Sequence, residues 1–143
     1  MNKIEKDILE CYERDYKVEA LSYQIMGMML NEKYVEKRLG LFNINDMYIY
    51  GGTYMAIQLY QTGKKYADIK GIVDKSGRVV LNENVPVMLL DELRNKYKGE
   101  KIVVTPLRYF QEIEEELKQF VDVANIIDIG ELLLGLAYDR ANC

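Results

Sequence analysis

The sequence predicts an α/β protein built on a parallel sheet. Short apolar runs alternate with segments of helical periodicity, and strands that alternate with helices form parallel sheets with right-handed crossovers. The run 101–105 is β-branched and lacks polar alternation, as expected of a strand that is covered on both faces. Two glycines join the first run to the first helical segment. The predicted strands are 47–50, 69–73, 101–105 and 125–127.

The sheet is expected to contain about four to five strands in the order 3-2-1-4, with helices on both faces. In that order the third predicted strand, 101–105, lies beside 69–73. The segment 85–88 contains Pro86 and is predicted to be an edge or connecting strand, because proline cannot donate to a central ladder. A short extended piece is predicted at 78–81. The predicted crossover and closing helices are 53–61, 91–97, a helix that Thr105 caps with Pro106 at its first position, and 129–138.

The first 41 residues are predicted to form a helical extension that packs on the same domain as residues 42–143. A helix is expected over 3–30, followed by a shorter one over 32–39 that Asn31 caps and Gly40 closes. The apolar face of the first helix is wide, which fits either one long core helix or a homodimer interface. Its two stripes are Ile4, Ile8, Cys11, Val18, Ile25 and Met29, and Leu9, Tyr12, Tyr16, Tyr23, Met26 and Leu30.

Composition narrows the possible functions. The chain has 143 residues and a net charge of −4, which makes nucleic acid a poor partner. It contains no histidine, which excludes histidine-based triads and histidine-containing zinc sites. The beginning of the chain shows no apolar signal region, and no apolar run is long enough for membrane insertion. Cys11 and Cys143 are the only cysteines, which indicates a reducing cytoplasm. We therefore expect a cytoplasmic protein without a metal site.

The glycine turn is the main candidate for a ligand site. The sequence Gly51-Gly52-Thr53-Tyr54-Met55-Ala56 resembles the dinucleotide fingerprint G-x-G-x-x-G, in which a strand, a glycine turn and a helix N-terminus hold a phosphate. The helix N-terminus at Tyr54 would supply free N–H groups. Thr53 replaces the glycine that lets the backbone approach a pyrophosphate, so a mononucleotide or a shallow nucleotide-sugar fits better than a dinucleotide.

Two further groups of residues are predicted to face this turn. Asp74 follows the second strand, 23 residues after Gly51, where an acidic side chain binds a ribose diol and favours NAD over NADP. The alternative is an Asp that only opens an Asp-Lys-Ser-Gly turn. Thr105, Pro106 and Arg108 form the corner after the third strand, where Arg108 would hold a phosphate or carboxylate, or would simply be solvated.

The remaining charged patterns of the sequence do not indicate a catalytic site. Glu112 and Glu114–Glu116 are predicted to be a solvated helix face. The two Tyr-x-x-x-Lys matches, Tyr60/Lys64 and Tyr97/Lys101, are rejected as a reductase pair, because about one match is expected by chance. No acid–base pair is therefore assigned, and the chain is expected to lack catalytic activity of its own.

Two stretches carry a resemblance to a family. Met47–Leu59 resembles the IAIYGxGxxGxxL opening of Rossmann-like domains from bacterial surface-polysaccharide clusters, although Thr53 and Ala56 replace its last two glycines. Ile102–Leu117 is similar to their IVVTxxxYFxEIxxxL segment, and Asp74 with Lys75 falls at their xxIDK position. The resemblance spans about residues 20–140. It implies a Rossmann-like three-layer sandwich, a context of nucleotide-sugar chemistry and a glycosyltransferase as partner.

Three functions are compatible with these observations. The first is a binding domain for NAD or a nucleotide-sugar in polysaccharide synthesis. The second is an interaction module that has kept the fold and lost the ligand. The third is a fragment of a small NAD-dependent oxidoreductase or epimerase, which is disfavoured because no substrate domain follows the nucleotide-binding half.

Overall fold

A computed structural model describes residues 2–51, 54–75 and 86–135. Gly52, Thr53, the extended piece predicted at 78–81 and residues 136–138 of the last predicted helix lie outside these residues. The helices are α1 (Lys3–Met28), α2 (Glu32–Leu41), α3 (Tyr54–Gly63), α4 (Leu90–Lys96), α5 (Phe110–Leu117) and α6 (Ile129–Leu134). The strands are β1 (Asp46–Tyr50), β2 (Asp68–Val73), β3 (Val87–Met88), β4 (Lys101–Val104) and β5 (Ile126–Asp128).

The five strands form one parallel sheet, as predicted, in the spatial order β3-β2-β1-β4-β5. The predicted neighbour of β4 was wrong, because residues 101–104 pair with β1 and not with β2. The outer edge of β2 is already occupied by β3, where the Pro86 carbonyl accepts a hydrogen bond from the Ile72 N–H at 2.9 Å. β4 therefore uses the other edge of β1. The prediction that the segment containing Pro86 forms an edge strand is confirmed.

Helices cover both faces of the sheet, because successive strand residues enter two separate cores. One core joins α1, α2, α3 and α6 to Met47, Ile49 and Val103, and the other joins α4 and α5 to Tyr50 and Val104. Parallel strands buried on both sides are expected to be apolar throughout, and Ile102–Val104 are fully buried.

The helix after β4 begins later than predicted. Thr105 does not cap it, because the Thr105 hydroxyl donates instead to the Tyr50 carbonyl across the sheet, at 3.0 Å. Pro106 precedes a 3₁₀ turn, Leu107–Tyr109, and α5 starts only at Phe110. Two other helix ends also shift. Helix α2 is capped by Asn31 as predicted but runs through Gly40 to Leu41, and α6 ends before Gly135, which has a left-handed φ of 69°.

The two ends of helix α1 differ in burial. The side chains of residues 2–10 are all exposed, whereas Ile25 and Met29 are completely buried in the core. The second half is held by α3, since the Gln58 amide donates to the Met26 carbonyl at 2.9 Å. The N-terminal part, residues 2–10, is exposed and begins with a capping box between Asn2 and Glu5. None of the helices in the described residues is both long enough and apolar enough to cross a membrane.

Glu100 stabilises the edge of the sheet opposite the glycine turn, and its contribution should depend on pH. Its carboxylate is 4% exposed, accepts the Lys98 N–H at 2.7 Å and lies 3.2 Å from Lys70 Nζ. Burial opposes ionisation, but hydrogen bonds from the backbone of Glu100 and Lys98, together with Lys70, outweigh it and hold the pKa of Glu100 below its usual range.

We expect Glu100→Gln to lower the free energy of unfolding by about 1.5–3 kcal/mol at neutral pH, the range for hydrogen bonds to a charged group. Because the folded pKa is depressed, this stability is present above the ordinary glutamate pKa and is lost as the pH falls through the folded value. Urea unfolding of both proteins at several pH values measures it. A difference between the two proteins that stays constant from neutral pH down to pH values below the ordinary glutamate range would contradict the assignment.

Candidate functional site

The candidate site lies where the order of the strands in the sheet reverses. The chain builds β2 and β3 on one side of β1 and then returns to build β4 and β5 on the other side. In an open parallel sheet a crevice forms at such a point, outside the carboxyl ends of the two central strands. Here those ends are Tyr50 and Val104, which are paired in register. Gly51 and Thr105 follow them directly, as predicted for the two corners of the site.

Gly51 is required by its neighbours across the crevice. Its φ is +127°, and a β-carbon at this position would lie 2.3 Å from Thr105 Oγ1 and 2.9 Å from Pro106 Cδ. The N–H of Gly51 donates to the Val73 carbonyl at 2.8 Å, which ties the turn to β2. The first glycine of the fingerprint therefore has a purely structural explanation. The second part of the turn, Gly52 and Thr53, lies outside the described residues.

Asp74 lies beside Gly51, as expected from its position after β2. The two residues line one cavity of about 280 Å³, which we call the Asp74 cavity. The Asp74 N–H donates to the Met88 carbonyl at 3.0 Å, so the backbone of this residue is fixed by the edge strand. The cavity is lined by Tyr50, Gly51, Asp74, Lys75, Pro106, Tyr109, Glu112 and Ile113.

The Asp74 cavity is acidic. Asp74 and Glu112 line it, and Lys75, the one cation among the described lining residues, is bound to Glu116 Oε1 at 2.6 Å. Burial raises the pKa of the Tyr50 hydroxyl, and the nearby carboxylates of Glu116 and Asp74 raise it further. Neither this hydroxyl nor Glu116 Oε2 makes a hydrogen bond of normal geometry within the described residues, although the two groups are neighbours. The cavity favours groups that donate hydrogen bonds over phosphate.

The glutamate-rich face of α5 is thus only partly solvated. Glu112 is exposed as predicted and also lines the cavity, whereas Glu116 departs from the prediction because one of its carboxylate oxygens is buried. The spacing of Glu112 and Glu116 in the sequence could have indicated that both lie on the side of α5 that faces the sheet. Residues 112 and 116 are one helical turn apart and share the side of α5 that points back to β1. Glu115 lies outside that side and pairs with Lys118 at 2.6 Å.

Arg108 points away from the Asp74 cavity. Its guanidinium forms an ion pair with Asp15 of α1, with Nη1 and Oδ1 2.5 Å apart, and both side chains are nearly half exposed. Exposed pairs of this kind contribute roughly 0–1 kcal/mol. The carboxylate that Arg108 contacts belongs to the chain itself, and the expectation that Arg108 holds a ligand's phosphate or carboxylate stays a prediction.

A second cavity, of about 410 Å³, adjoins the first and was not foreseen from the sequence. We call it the tyrosine cavity, because Tyr23, Tyr54 and Tyr109 line it. It lies between the second half of α1, the start of α3 and the corner after β4. The remaining lining residues are Val18, Glu19, Ser22, Met26, Met55, Thr105, Pro106, Leu107 and Arg108. Both cavities are lined by Pro106 and Tyr109, so they adjoin at the corner after β4.

Within the described residues, no group of three or more Asp, Glu or Cys side chains is arranged to hold a metal ion. Comparisons with protein-family models, with curated proteins and with solved structures found no match to this chain. The geometry of the crevice is therefore the basis for assigning a function.

Proposed function

We propose that this protein is a Rossmann-like binding domain whose crevice takes a nucleotide or nucleotide-sugar, without catalysis of its own. The observation that carries the proposal is the meeting of Gly51 and Asp74 in one cavity at the carboxyl ends of β1 and β2. In folds of this topology, that position holds the nucleotide, and an acidic residue after β2 binds the ribose hydroxyls. The polysaccharide context and a glycosyltransferase partner rest on the sequence resemblance alone.

The charges of the site favour a ligand with little phosphate. Lys75 and Arg108 are both engaged by carboxylates, and Asp74 and Glu112 make the cavity acidic. A pyrophosphate in the Asp74 cavity would meet like charge. A nucleoside monophosphate or a nucleotide-sugar avoids that repulsion when its phosphate groups lie outside the cavity. The same charges disfavour a seated NAD molecule and, with it, the oxidoreductase alternative.

We expect Asp74→Ala to weaken nucleotide binding by about 1.5–3 kcal/mol, because the variant removes hydrogen bonds to a charged group. Calorimetry with UMP, AMP, NAD and a UDP-sugar measures the effect. Asp68→Ala is the matched control, since this residue is an exposed aspartate at the opposite end of the same strand. If no nucleotide binds the unaltered protein at millimolar concentration, the binding proposal fails and the interaction-module hypothesis takes its place.

A second proposal concerns the oligomeric state of the protein, and the exposed N-terminal part of α1, residues 4–16, supports it. Its large apolar side chains are exposed: Ile4 by 71%, Ile8 by 51%, Leu9 by 45%, Tyr12 by 71% and Tyr16 by 74%. Contiguous exposed apolar surface of this kind marks an interaction site. We propose that a second copy of this chain covers it, because symmetric dimers are by far the commonest oligomers. Light scattering over a range of concentrations is expected to show a dimer, and a monomer at high micromolar concentration would refute it.

A further inference from the structure

We infer that the tyrosine cavity is a subsite for a flat aromatic ring, and that the crevice takes a nucleoside with its base in that cavity and its sugar hydroxyls at Asp74. This inference rests on the proposed function and adds which part of the ligand lies where. It also predicts that the base is held by stacking and not by hydrogen bonds.

The aromatic side chains around the cavity are exposed. Tyr23, Tyr54 and Tyr109 are 72%, 81% and 52% exposed, whereas Tyr48 and Tyr50 of the sheet are almost completely buried. They come from three different elements, α1, α3 and the turn before α5, and converge on one cavity. Three tyrosine rings around a cavity of about 410 Å³ offer apolar surface that a ring-shaped ligand would cover.

Three polar side chains that line the tyrosine cavity are already engaged within the protein. The Ser22 hydroxyl donates to the Val18 carbonyl at 2.9 Å, and the Thr105 hydroxyl donates to the Tyr50 carbonyl at 3.0 Å. Arg108 is bound to Asp15. These groups are not positioned to select one base edge over another. Stacking on aromatic side chains tolerates every base, because each base has a π-face.

The two adjoining cavities differ in chemical character. The Asp74 cavity presents the carboxylates of Asp74 and Glu112, which accept hydrogen bonds, whereas the tyrosine cavity is mostly apolar. A nucleoside has the same division, with an aromatic base at one end and donating hydroxyls at the other. Pro106 and Tyr109 line both cavities, so a single small ligand can reach across them.

Titration of the unaltered protein with adenosine, uridine and ribose, followed by amide NMR shifts, tests the inference. We expect the two nucleosides to bind with affinities within about tenfold of each other, and ribose to bind far more weakly, since base stacking is sequence-tolerant and contributes most of the affinity. Tyr23→Leu and Tyr54→Leu are each expected to weaken adenosine binding at least about fivefold. Tyr54→Phe keeps the ring and should bind as the unaltered protein does.

Tyr12→Leu is the matched control for Tyr23→Leu, because Tyr12 lies on the same helix with 71% exposure but outside the cavity. Amide spectra establish that each variant folds. If adenosine binding depends on Asp74 but not on Tyr23 or Tyr54, the base subsite is refuted while the proposed function stands. If no nucleoside or nucleotide binds at all, both are refuted.

Discussion

Gly51→Ala is expected to destabilise the protein by about 2–6 kcal/mol, combining roughly 1–3 kcal/mol for a strained backbone with about 1–3 kcal/mol for overpacking. The φ of +127° is unfavourable for any residue with a β-carbon, and the added carbon would lie 2.3 Å from Thr105 Oγ1. Relief would require Thr105 to give up its hydrogen bond to the Tyr50 carbonyl. Urea unfolding measures the loss.

Two other glycines separate the causes of this effect. Gly99 has a φ of +103° but nothing within 4 Å of the added carbon, so Gly99→Ala should show the backbone strain alone. Gly40 is helical with open space around it, so Gly40→Ala should be neutral or slightly stabilising. If Gly51→Ala lowers the free energy of unfolding by no more than Gly99→Ala does, the close contact of Gly51 with Thr105 and Pro106 is contradicted.

Leu9→Glu combined with Tyr16→Glu is expected to convert the proposed dimer to a monomer without unfolding the domain. The two positions lie seven residues apart on the same apolar stripe of α1, and both side chains are exposed. Burying two carboxylates without partners in a dimer interface is strongly unfavourable. Sedimentation or light scattering gives the mass, and the thermal unfolding of the body should change little because both side chains are exposed in the single chain.

Lys6→Gln combined with Lys17→Gln is the charge-matched control, because it also makes the net charge more negative by two. Both lysines are exposed and lie on the polar side of the same helix, outside both apolar stripes. The control should leave the mass unchanged. Dissociation by the lysine pair as well would show that total charge, and not the apolar stripe, determines the state of assembly.

Local sequence patterns were sufficient for much of the fold. The parallel strands, the edge position of the segment with Pro86 and the Asn31 cap depend on neighbours in the chain, and all were predicted correctly. The partner of β4 was not, because it depends on which sheet edge the two-residue strand β3 has already occupied. The start of α5 was also missed, since the Thr105 hydroxyl binds a carbonyl 55 positions away along the chain.

The candidate site was predictable only in part. The positions of Gly51 and Asp74 follow from where their strands end, so their proximity could be expected. The contribution of α1 could not, because helical periodicity shows that a helix has an apolar face but not which element that face contacts. Tyr23 therefore looked like part of one long stripe, whereas in the fold it lines a cavity with Tyr54 and Tyr109.

An amide NMR titration of the unaltered protein with a nucleoside monophosphate such as UMP or AMP tests ligand binding in the crevice most directly. We expect saturable shifts at the amides of Gly51, Asp74 and Tyr109, which line the Asp74 cavity, and little change at residues 3–16 of α1. The absence of any saturable shift at millimolar ligand, or shifts confined to surfaces away from these three residues, would contradict the proposed function.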